Sequence, residues 1–556
     1  MKRFFSIFLT AVLLLGTLSL AACGGSEKVT VEPGPFGKYS PAITVTYGKS
    51  IAAASAVLTA LEQTPEVNVW NDYIRQELGI KLKLTLGTST SEDYFEKLVN
   101  SIASSNVPEF LEVGYFENGF INLKLMYDNE LLADIGEIVK NYASDDLKSI
   151  MEDYGDEVLQ PCTFDGKLMG FPQYYNVGGA STAFWWIRTD WLDNLNLSMP
   201  ETFEDLINVA NAFANQDPDG NNQKDTYGFA ADGAIFNCFA GIFNAYGAHP
   251  QAWVEDENGD LVYGGITNEM KQAVTTLKEL YANGAIAPNF TELAPGTDSL
   301  AHMNAGTAGI MAGVATTGLN LAQTVVRNPN ARYECIPFIS ATGEDVKVIS
   351  DIPAYSFYAV RNDAKYPEAM IKILNLYIEV QSGERGDELV SSMIQDEAGN
   401  EIWKISPVSS MAAASADDDD DKYDQIALLA EAINNKDDSK LNQVDKGVYK
   451  SITDYLDKGI NRHYGWYALF KENGSMQKLV DAREEDYFIF DKFNAAPGSE
   501  MSKYENDLYL YQWTSIASII VGEEPIDYFD TFVGEWKNLG GDEVTEEVNN
   551  WYEQFK

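Results

Sequence analysis

Three strand-like segments near the start of the chain, separated by two helix-like segments, limit its possible folds more than any other feature. Residues 42–50 (AITVTYGKS), 80–86 (IKLKLTL) and 108–115 (PEFLEVGY) have the length and residue types of β-strands. Residues 64–79 and 91–106 between them have helical patterns. Because strands that alternate with helices pair in parallel, this order predicts an open α/β sheet.

The first of these helices has clear start and stop signals. Pro65 suits the first helical position, and Gly79 suits the left-handed residue that ends a helix. Between them, apolar residues recur every three or four positions: Val67, Trp70, Ile74 and Leu78. We therefore predict a helix that begins at Pro65 and stops at Gly79.

The later part of the chain again contains strands and helices. Asp165–Gly166 is predicted to be the turn of a hairpin, and helices are predicted to begin near Thr189 and after a Thr202 cap. Residues 267–286 are predicted to form a helix that ends at Gly284. Residues 301–314 end in a predicted strand of small residues, and residues 346–379 are predicted to form a strand followed by a helix. A run of five aspartates within 410–422 predicts a solvated loop, because like charges repel.

A chain of 556 residues is too long for one ordinary core, so we predict an α/β protein of two lobes. Lobe 1 is predicted to comprise residues 41–165 plus 340–405. Lobe 2 is predicted to comprise residues 166–339 plus 406–556.

The first 40 residues have the features of an export signal and a tether. Lys2 and Arg3 precede an almost wholly apolar stretch, 4–19, and the small-residue sequence Leu20-Ala21-Ala22 stands directly before Cys23. This pattern resembles the bacterial lipobox, in which the signal is cut before a cysteine that receives lipid. We predict a signal peptide at 1–22 and a lipid anchor on Cys23 followed by a tether to residue 40. An ordinary signal with a bystander cysteine is the alternative.

The charge of the chain limits its partners. The formal net charge is −45 at pH 7, which repels nucleic acid and anionic lipid headgroups. An anionic substrate is disfavoured as well, whereas neutral or cationic ligands fit better. Aromatic residues make up 12% of the chain, which is typical of a folded protein.

Cysteine and histidine usage excludes several classes of enzyme site. Besides Cys23 there are three cysteines, Cys162, Cys238 and Cys335, and no CxxC pair. An odd number leaves at least one thiol unpaired within the chain, and we expect small buried residues. The chain has three histidines and neither an HExxH nor a GxSxG motif, so metalloprotease and esterase functions lose support.

Several motifs in this order resemble the extracellular solute-binding lipoproteins of carbohydrate-type ABC importers, in particular the long branch of Gram-positive bacteria. Besides the lipobox, the similar segments are FDGKLMGFP (164–172), WIRTDWLDNLNLSMPETFEDL (186–206), NAGTAGIMAG (304–313) and the C-terminal GGDEVTEEVNNWYEQFK (540–556). The resemblance implies a two-lobed periplasmic-binding-protein-like fold, with a ligand cleft between lobes joined by hinge crossings. It also implies a non-catalytic monomer, lipid-anchored on the outer face of the cell membrane, that passes an oligosaccharide to permease subunits.

Candidate ligand residues are aromatic or polar side chains in predicted loops, at strand ends or at lobe crossings. Rings stack on the apolar faces of sugars, and polar groups bind the hydroxyls. Neighbours on a strand point to opposite faces, so we expect one member of the Trp185–Trp186 pair in the core and the other in the cleft. The full set is Tyr174, Tyr175, Asn176, Trp185, Trp186, Trp253, Asp351, Tyr355, Trp403 and Trp466.

The sequence DPDGNNQKDTYG (217–228) predicts a structural calcium site. Its oxygen-bearing residues have the spacing of positions 1, 3, 5, 7 and 9 of a calcium loop: Asp217, Asp219, Asn221, Gln223 and Asp225. The loop resembles one found in some members of the family. It departs from the EF-hand at Asn222, where glycine is expected, and at Gly228, where a bidentate glutamate is expected. A polar turn without metal is the alternative.

Two other functions remain open at this stage. The ligand of a binding protein can be a peptide or another non-sugar solute, and a cationic peptide would suit the acidic surface. A secreted glycoside hydrolase would need two carboxylates about 5–10 Å apart. The 84 acidic residues allow such a pair, but no motif identifies one.

Overall fold

The structure is a computed structural model. It describes residues 28–174, 181–350, 352, 354–382, 385–386, 389, 392–394, 401–408, 419–441 and 443–556, without the side chains of 115–117, 355, 419–425 and 443–444. The sequence predictions at Cys23, Tyr175, Asn176 and Asp351, and at the side chain of Tyr355, lie outside the described residues.

The strands of the described residues, in chain order, are β1 Thr30–Val31, β2 Tyr39–Ser40, β3 Ile43–Gly48, β4 Ile80–Leu86, β5 Phe110–Tyr115, β6 Thr163–Phe164, β7 Lys167–Leu168, β8 Phe171–Tyr174, β9 Phe184–Arg188, β10 Tyr227–Phe229, β11 Trp253–Glu255, β12 Leu261–Tyr263, β13 Ala308–Gly313, β14 Tyr333–Pro337, β15 Val348–Ser350, β16 Ala354–Val360 and β17 Phe488–Phe490.

The α-helices are α1 Ser55–Ala60, α2 Val69–Leu78, α3 Ser91–Ala103, α4 Phe116–Asp128, α5 Gly136–Tyr142, α6 Asp145–Tyr154, α7 Thr189–Leu195, α8 Phe203–Asn215, α9 Ile235–Cys238, α10 Ala240–Ala245, α11 Asn268–Ala282, α12 Asp298–Ala305, α13 Gly318–Arg327, α14 Ala369–Ser382, α15 Asp419–Asn435, α16 Gln443–Lys458, α17 Tyr464–Phe470, α18 Ser475–Glu484, α19 Ser499–Val521, α20 Tyr528–Trp536 and α21 Asp542–Tyr552. A π-helical turn, Lys537–Gly541, joins the last two.

Contacts divide the chain into two units. The first takes the described residues within 1–112, 133–144 and 360–409, and the second takes those within 113–132, 145–359 and 410–556. No helix of the described residues has both the length and the apolar character that crossing a membrane requires.

The first unit is built on parallel strands. β3 pairs in parallel with β4 on one side, with Ile43 opposite Ile80, and with β5 on the other, with Tyr47 opposite Phe110. Along β4, Ile80 and Leu82 are buried while the lysines next to them are exposed. The predicted parallel arrangement is confirmed, and the burial along β4 alternates as in a strand with one buried face.

Helix α2 confirms the predicted end and corrects the predicted start. Gly79 ends it in the left-handed conformation, with φ 68°. The helix begins at Val69 rather than at Pro65, because the side chain of Asn68 caps it by accepting a hydrogen bond from the N–H of Asn71 (2.9 Å). Val67 consequently lies outside the helix and is exposed.

The second unit has a four-stranded mixed sheet in the order β10–β13–β9–β14. β9 lies inside the sheet, antiparallel to both neighbours, and its five residues, Phe-Trp-Trp-Ile-Arg, are all buried. The Thr202 cap is confirmed, since its side chain and that of Asp205 bond reciprocally to the backbone at the start of α8. The predicted Asp165–Gly166 turn is confirmed between β6 and β7, with positive φ at both residues.

Two smaller predictions concern charge and thiols. The loop predicted at 410–422 is wrong from Asp419 onward, where α15 begins. Aspartates are favourable in the first turn of a helix because the helix dipole is positive there. Cys162, Cys238 and Cys335 are buried, as predicted, and all three are free thiols.

Candidate functional site

A cavity of about 360 Å³ lies within the second unit. Its lining combines six aromatic residues, Phe120, Trp253, Tyr263, Phe493, Tyr509 and Trp536, with four polar ones, Gln251, Asp491, Glu505 and Asn506. The remainder of the lining is Ala495, Pro497, Met501, Leu508 and Val544. Ligand sites typically have this composition, with an apolar and aromatic wall and a few polar groups that orient the ligand.

Three of the rings form one continuous wall. The register of the β11–β12 hairpin places Trp253 directly opposite Tyr263, with ring centroids 5.4 Å apart. Tyr263 in turn stacks on Trp536, with centroids 5.0 Å apart and planes 5° from parallel. The three rings border the cavity and are largely buried, with Trp253 5% and Trp536 2% exposed.

The π-helical turn after α20 fixes the position of Trp536. Gly541 lies so close that a Cβ there would stand 2.2 Å from Cε3 of the Trp536 ring. Gly540 has φ +126°, and a Cβ on it would meet the ring of Tyr504 at 2.4 Å. The non-helical dihedral angles of Gly540 produce a kink between the two helices.

Hydrogen bonds brace the rest of the wall. Oδ1 of Asp491 accepts from the backbone N–H of Trp253 and of Phe493, each at 3.0 Å, which ties the exit of β17 to β11. The hydroxyl of Tyr263 donates to Oε1 of Gln512 (2.9 Å), whose Nε2 donates to the carbonyl of Pro250 (2.8 Å). The rings are thus held from positions far apart in sequence.

The electrostatics of the cavity are acidic. Burial raises the pKa of Tyr263 above its usual range, and the charges of Asp491 and Glu505, with Tyr509, act in the same direction. Both carboxylates therefore oppose negative charge at the wall. Burial also lowers the pKa of His249, just before the hairpin, to about 4.

Among the predicted ligand residues that the structure describes, Trp253 alone lines this cavity. Trp185 and Trp186 are both fully buried in the core. Trp185 packs between Phe229 and Phe338, and Nε1 of Trp186 donates to the carbonyl of Val314 (3.1 Å).

The other described candidates lie elsewhere. Tyr174 is buried at the end of β8, near Tyr154 and Phe171. Trp403 lies in a 3-10 turn of the first unit, beside Lys404. Trp466 is partly buried in α17 and stacks on Phe470.

Sequence reasoning missed nine of the ten aromatic and polar residues of the lining. One of them, Tyr263, had a usable signal. The turn-forming residues 256–260 (DENGD) between WVE and LVY indicate a hairpin, which would place Tyr263 near Trp253. Asp491 and Trp536 lie more than 200 residues further along, so no local pattern links them to this hairpin.

In the predicted calcium loop, the side-chain amide of Asn221 bonds to neighbouring carboxylates. Nδ2 of Asn221 donates to the carboxylates of Asp219 (2.8 Å) and Asp225 (3.2 Å). Asp217 accepts from the backbone N–H of Asn221 and of Asn222, each at 3.0 Å. Burial, together with Asp217 and Asp225, raises the pKa of Asp219. Among the described residues, no group of three or more His, Cys, Asp or Glu side chains is arranged to hold a metal ion.

Comparison with known proteins supplies a family. Residues 59–382 match the protein family described as bacterial extracellular solute-binding protein. A curated relative, the polygalacturonan/rhamnogalacturonan-binding protein YtcQ of Bacillus subtilis (strain 168), is 27% identical over 317 residues, which are 57% of this chain and 58% of the relative. The matched stretch thus spans little more than half of that protein.

Two solved structures share the fold. The alginate-binding protein AlgQ2 without calcium ion has a TM-score of 0.54 at 14% identity, covering 94% of this chain and 99% of its own. An EF-hand mutant of the S. pneumoniae ABC-transporter substrate-binding protein FusA, in complex with fructo-nystose, has a TM-score of 0.53 at 16% identity, covering 92% and 99%. The predicted α/β solute-binding fold is confirmed by this likeness.

Proposed function

The chain belongs to the family of bacterial extracellular solute-binding proteins, and from this premise we propose that it captures an oligosaccharide and delivers it to an ABC permease. The observation that carries the sugar assignment is the wall of Trp253, Tyr263 and Trp536 beside two carboxylates and two amides. Sugars present apolar faces and a rim of hydroxyls, so rings and polar groups in one cavity suit them.

The proposed role of each group follows from its chemistry. The rings of Trp253 and Trp536 stack on the C–H faces of the sugar, and Glu505, Gln251 and Asn506 bind its hydroxyls. A bond from a hydroxyl to a carboxylate is charge-assisted and therefore stronger than a neutral one. Asp491 braces the wall through its bonds to backbone N–H groups. None of these roles needs a bond to be broken, so no catalysis is proposed.

Calorimetric titration of the purified protein with a panel of oligosaccharides, and with a peptide mixture as the alternative ligand, tests this function. We expect one glycan class to bind without being hydrolysed, and Trp253→Ala to weaken its binding at least about tenfold, since aromatic anchors dominate binding energy. Trp513→Ala is the matched control, because Trp513 lies outside the lining and donates to the carbonyl of Gly233. Binding of peptides alone would contradict the assignment of a sugar as the ligand. Turnover of a glycan would contradict the binding function.

The other predicted ligand residues stay proposals. Alanine variants of Tyr174, Tyr175, Trp403 and Trp466 in the same titration would separate ligand contacts from residues that only stabilise the fold. A contact residue should change the affinity at an unchanged midpoint of unfolding. The same comparison applies to Asn176, Trp185, Trp186, Asp351 and Tyr355.

A lipid on Cys23 is proposed to anchor the protein outside the cytoplasmic membrane. Small residues directly before the cysteine, after an apolar stretch with a positive start, support this proposal. Cells fed a labelled fatty acid should label the wild-type protein and Cys162→Ala, but not Cys23→Ala. A label that persists in Cys23→Ala would contradict lipidation at that residue.

Calcium is proposed to bind the loop formed by Asp217, Asp219, Asn221, Gln223 and Asp225. Hard oxygen donors at alternating positions support it, as does the convergence of Asp217 and Asp225 on Asp219. The bound ion would supply positive charge among these carboxylates. We expect added calcium to raise the melting temperature of the wild-type protein and of Asp256→Asn, a matched variant in another turn, but not of Asp219→Asn. An unchanged melting temperature of the wild-type protein in millimolar calcium would contradict the site.

A further inference from the structure

The charged residues of the cavity bear on which oligosaccharides it can bind. Fifteen residues line it, and Asp491 and Glu505 are the charged ones among them. Glu505 is exposed in the second turn of α19, and Asp491 is half-buried and accepts from the N–H of Trp253 in the hairpin. The described lining therefore places negative charge, and no lysine or arginine, against whatever occupies the cavity.

Lysines that adjoin the lining in sequence are engaged elsewhere. The ammonium of Lys492 lies 3.2 Å from the carboxylate of Glu157. That of Lys503 bonds to the hydroxyl of Tyr504 (2.6 Å) and lies 3.5 Å from Glu500. Both ammonium groups thus bind partners that are not part of the described lining.

From this charge arrangement we propose that the cavity selects uncharged oligosaccharides and rejects uronates. The proposal rests on the proposed sugar-binding function. Polygalacturonan and alginate, after which two of the compared proteins are named, are polyuronates with a carboxylate on each such sugar unit. The negative charge of this cavity disfavours the binding of that class of ligand.

The physical reason is the difference between a hydroxyl and a carboxylate at the same place. A hydroxyl donates to Glu505, whereas a carboxylate can only accept and meets like charge there and at Asp491. Two unit charges 4 Å apart interact by about 1 kcal/mol even in bulk water, and by more where water is excluded, so each costs roughly a fivefold loss of affinity. The raised pKa of Tyr263 reports the same field, because a negative charge on its oxygen is opposed by both carboxylates.

Pairs of oligosaccharides that differ only in oxidation at C6 test this selectivity. Galactose and galacturonate, glucose and glucuronate, and mannose and mannuronate oligomers of equal length are titrated into the purified protein. In the pair that carries the preferred sugar, the uncharged member should bind at least about tenfold more tightly, and added salt should reduce this ratio. Equal or tighter binding of the uronate would overturn the proposal while leaving the oligosaccharide function in place.

A matched pair of variants assigns the effect to the cavity. Glu505→Gln keeps the shape of the side chain and should lower the ratio about fivefold. Asp507→Asn removes the same charge from the same helix, outside the lining, and should leave the ratio unchanged. An equal response of both variants would overturn the proposal. If no member of any pair binds, the selectivity proposal fails, whereas the oligosaccharide function is decided separately by the wider panel of oligosaccharides.

Discussion

Tryptophans on two strands of the second unit have opposite roles. Trp185 and Trp186 lie on β9, which has strands on both sides and is fully buried. Trp253 lies on β11, which belongs to a two-stranded hairpin, and its ring faces Tyr263 and a cavity. All three rings are buried in one hydrophobic cluster, but of the three Trp253, on the two-stranded hairpin, borders the cavity.

This comparison also bears on the expectation that one of the two neighbours on β9 lies in the core and the other in the cleft. Alternation does send their side chains to opposite faces of the sheet. In a sheet covered on both faces, each of those faces is interior. Trp185 accordingly packs against Phe229 and Phe338, and Trp186 reaches the carbonyl of Val314.

The largest expected effect is on stability. Trp185→Ala removes a ring enclosed by Phe338, Phe229 and Gly241, and should lower the free energy of unfolding by about 3–5 kcal/mol. Trp253→Ala should cost less, at the lower end of the same range, about 3 kcal/mol, because its ring already borders a cavity. Denaturant unfolding of both variants measures the difference, and equal losses would remove the distinction between the two strands.

Acid should lower the stability of the folded protein through His249, which lies just before the hairpin. Burial lowers the pKa of His249 to about 4, against about 6.5 in the unfolded chain. Between these values the unfolded chain binds a proton that the folded chain excludes, so stability is present above pH 6.5 and is lost as pH falls toward 4, by up to about 3 kcal/mol. Unfolding measured across this range should show a shallower loss in His249→Gln. Identical pH profiles would contradict the prediction.

The π-helical turn offers a smaller perturbation. Gly541→Ala forces a Cβ against the Trp536 ring and should cost about 1–3 kcal/mol while weakening ligand binding. Gly534→Ala is the control, because a Cβ there meets no atom within 4 Å and alanine favours the interior of α20 by about 1 kcal/mol. Thermal unfolding and titration of both variants give the comparison. Unchanged affinity in Gly541→Ala would show that the wall tolerates a moved Trp536.

The smallest expected effect is that of a substitution that distinguishes the contribution of the Tyr263 ring from that of its hydroxyl. Tyr263→Phe removes the hydrogen bond to Gln512 and should lower the free energy of unfolding by about 1 kcal/mol. The stack on Trp536 remains, so the affinity for the ligand should change little. A loss of affinity as large as that of Trp253→Ala would mean that the hydroxyl, rather than the ring, holds the ligand.

Local elements were largely predictable from the sequence because their causes are local. Gly79 ends α2, Thr202 caps α8, and Asp165–Gly166 turns between β6 and β7. Errors arose where a neighbouring side chain competed, as when Asn68 capped α2 three residues beyond Pro65. The aspartate run was misjudged because the helix dipole stabilises acidic residues at the start of α15.

The sequence by itself determined the α/β fold and the acidic character of this protein, since strand periodicity, capping residues and net charge need no knowledge of distant contacts. Its motifs also carried the resemblance to the family. Only the tertiary structure decided which aromatic residues form a wall. Trp253, Asp491 and Trp536 are brought together by hydrogen bonds and ring contacts across more than 280 residues. The order of a chain does not encode such proximity in any short pattern, because packing between elements, rather than spacing along them, sets which side chains share a cavity.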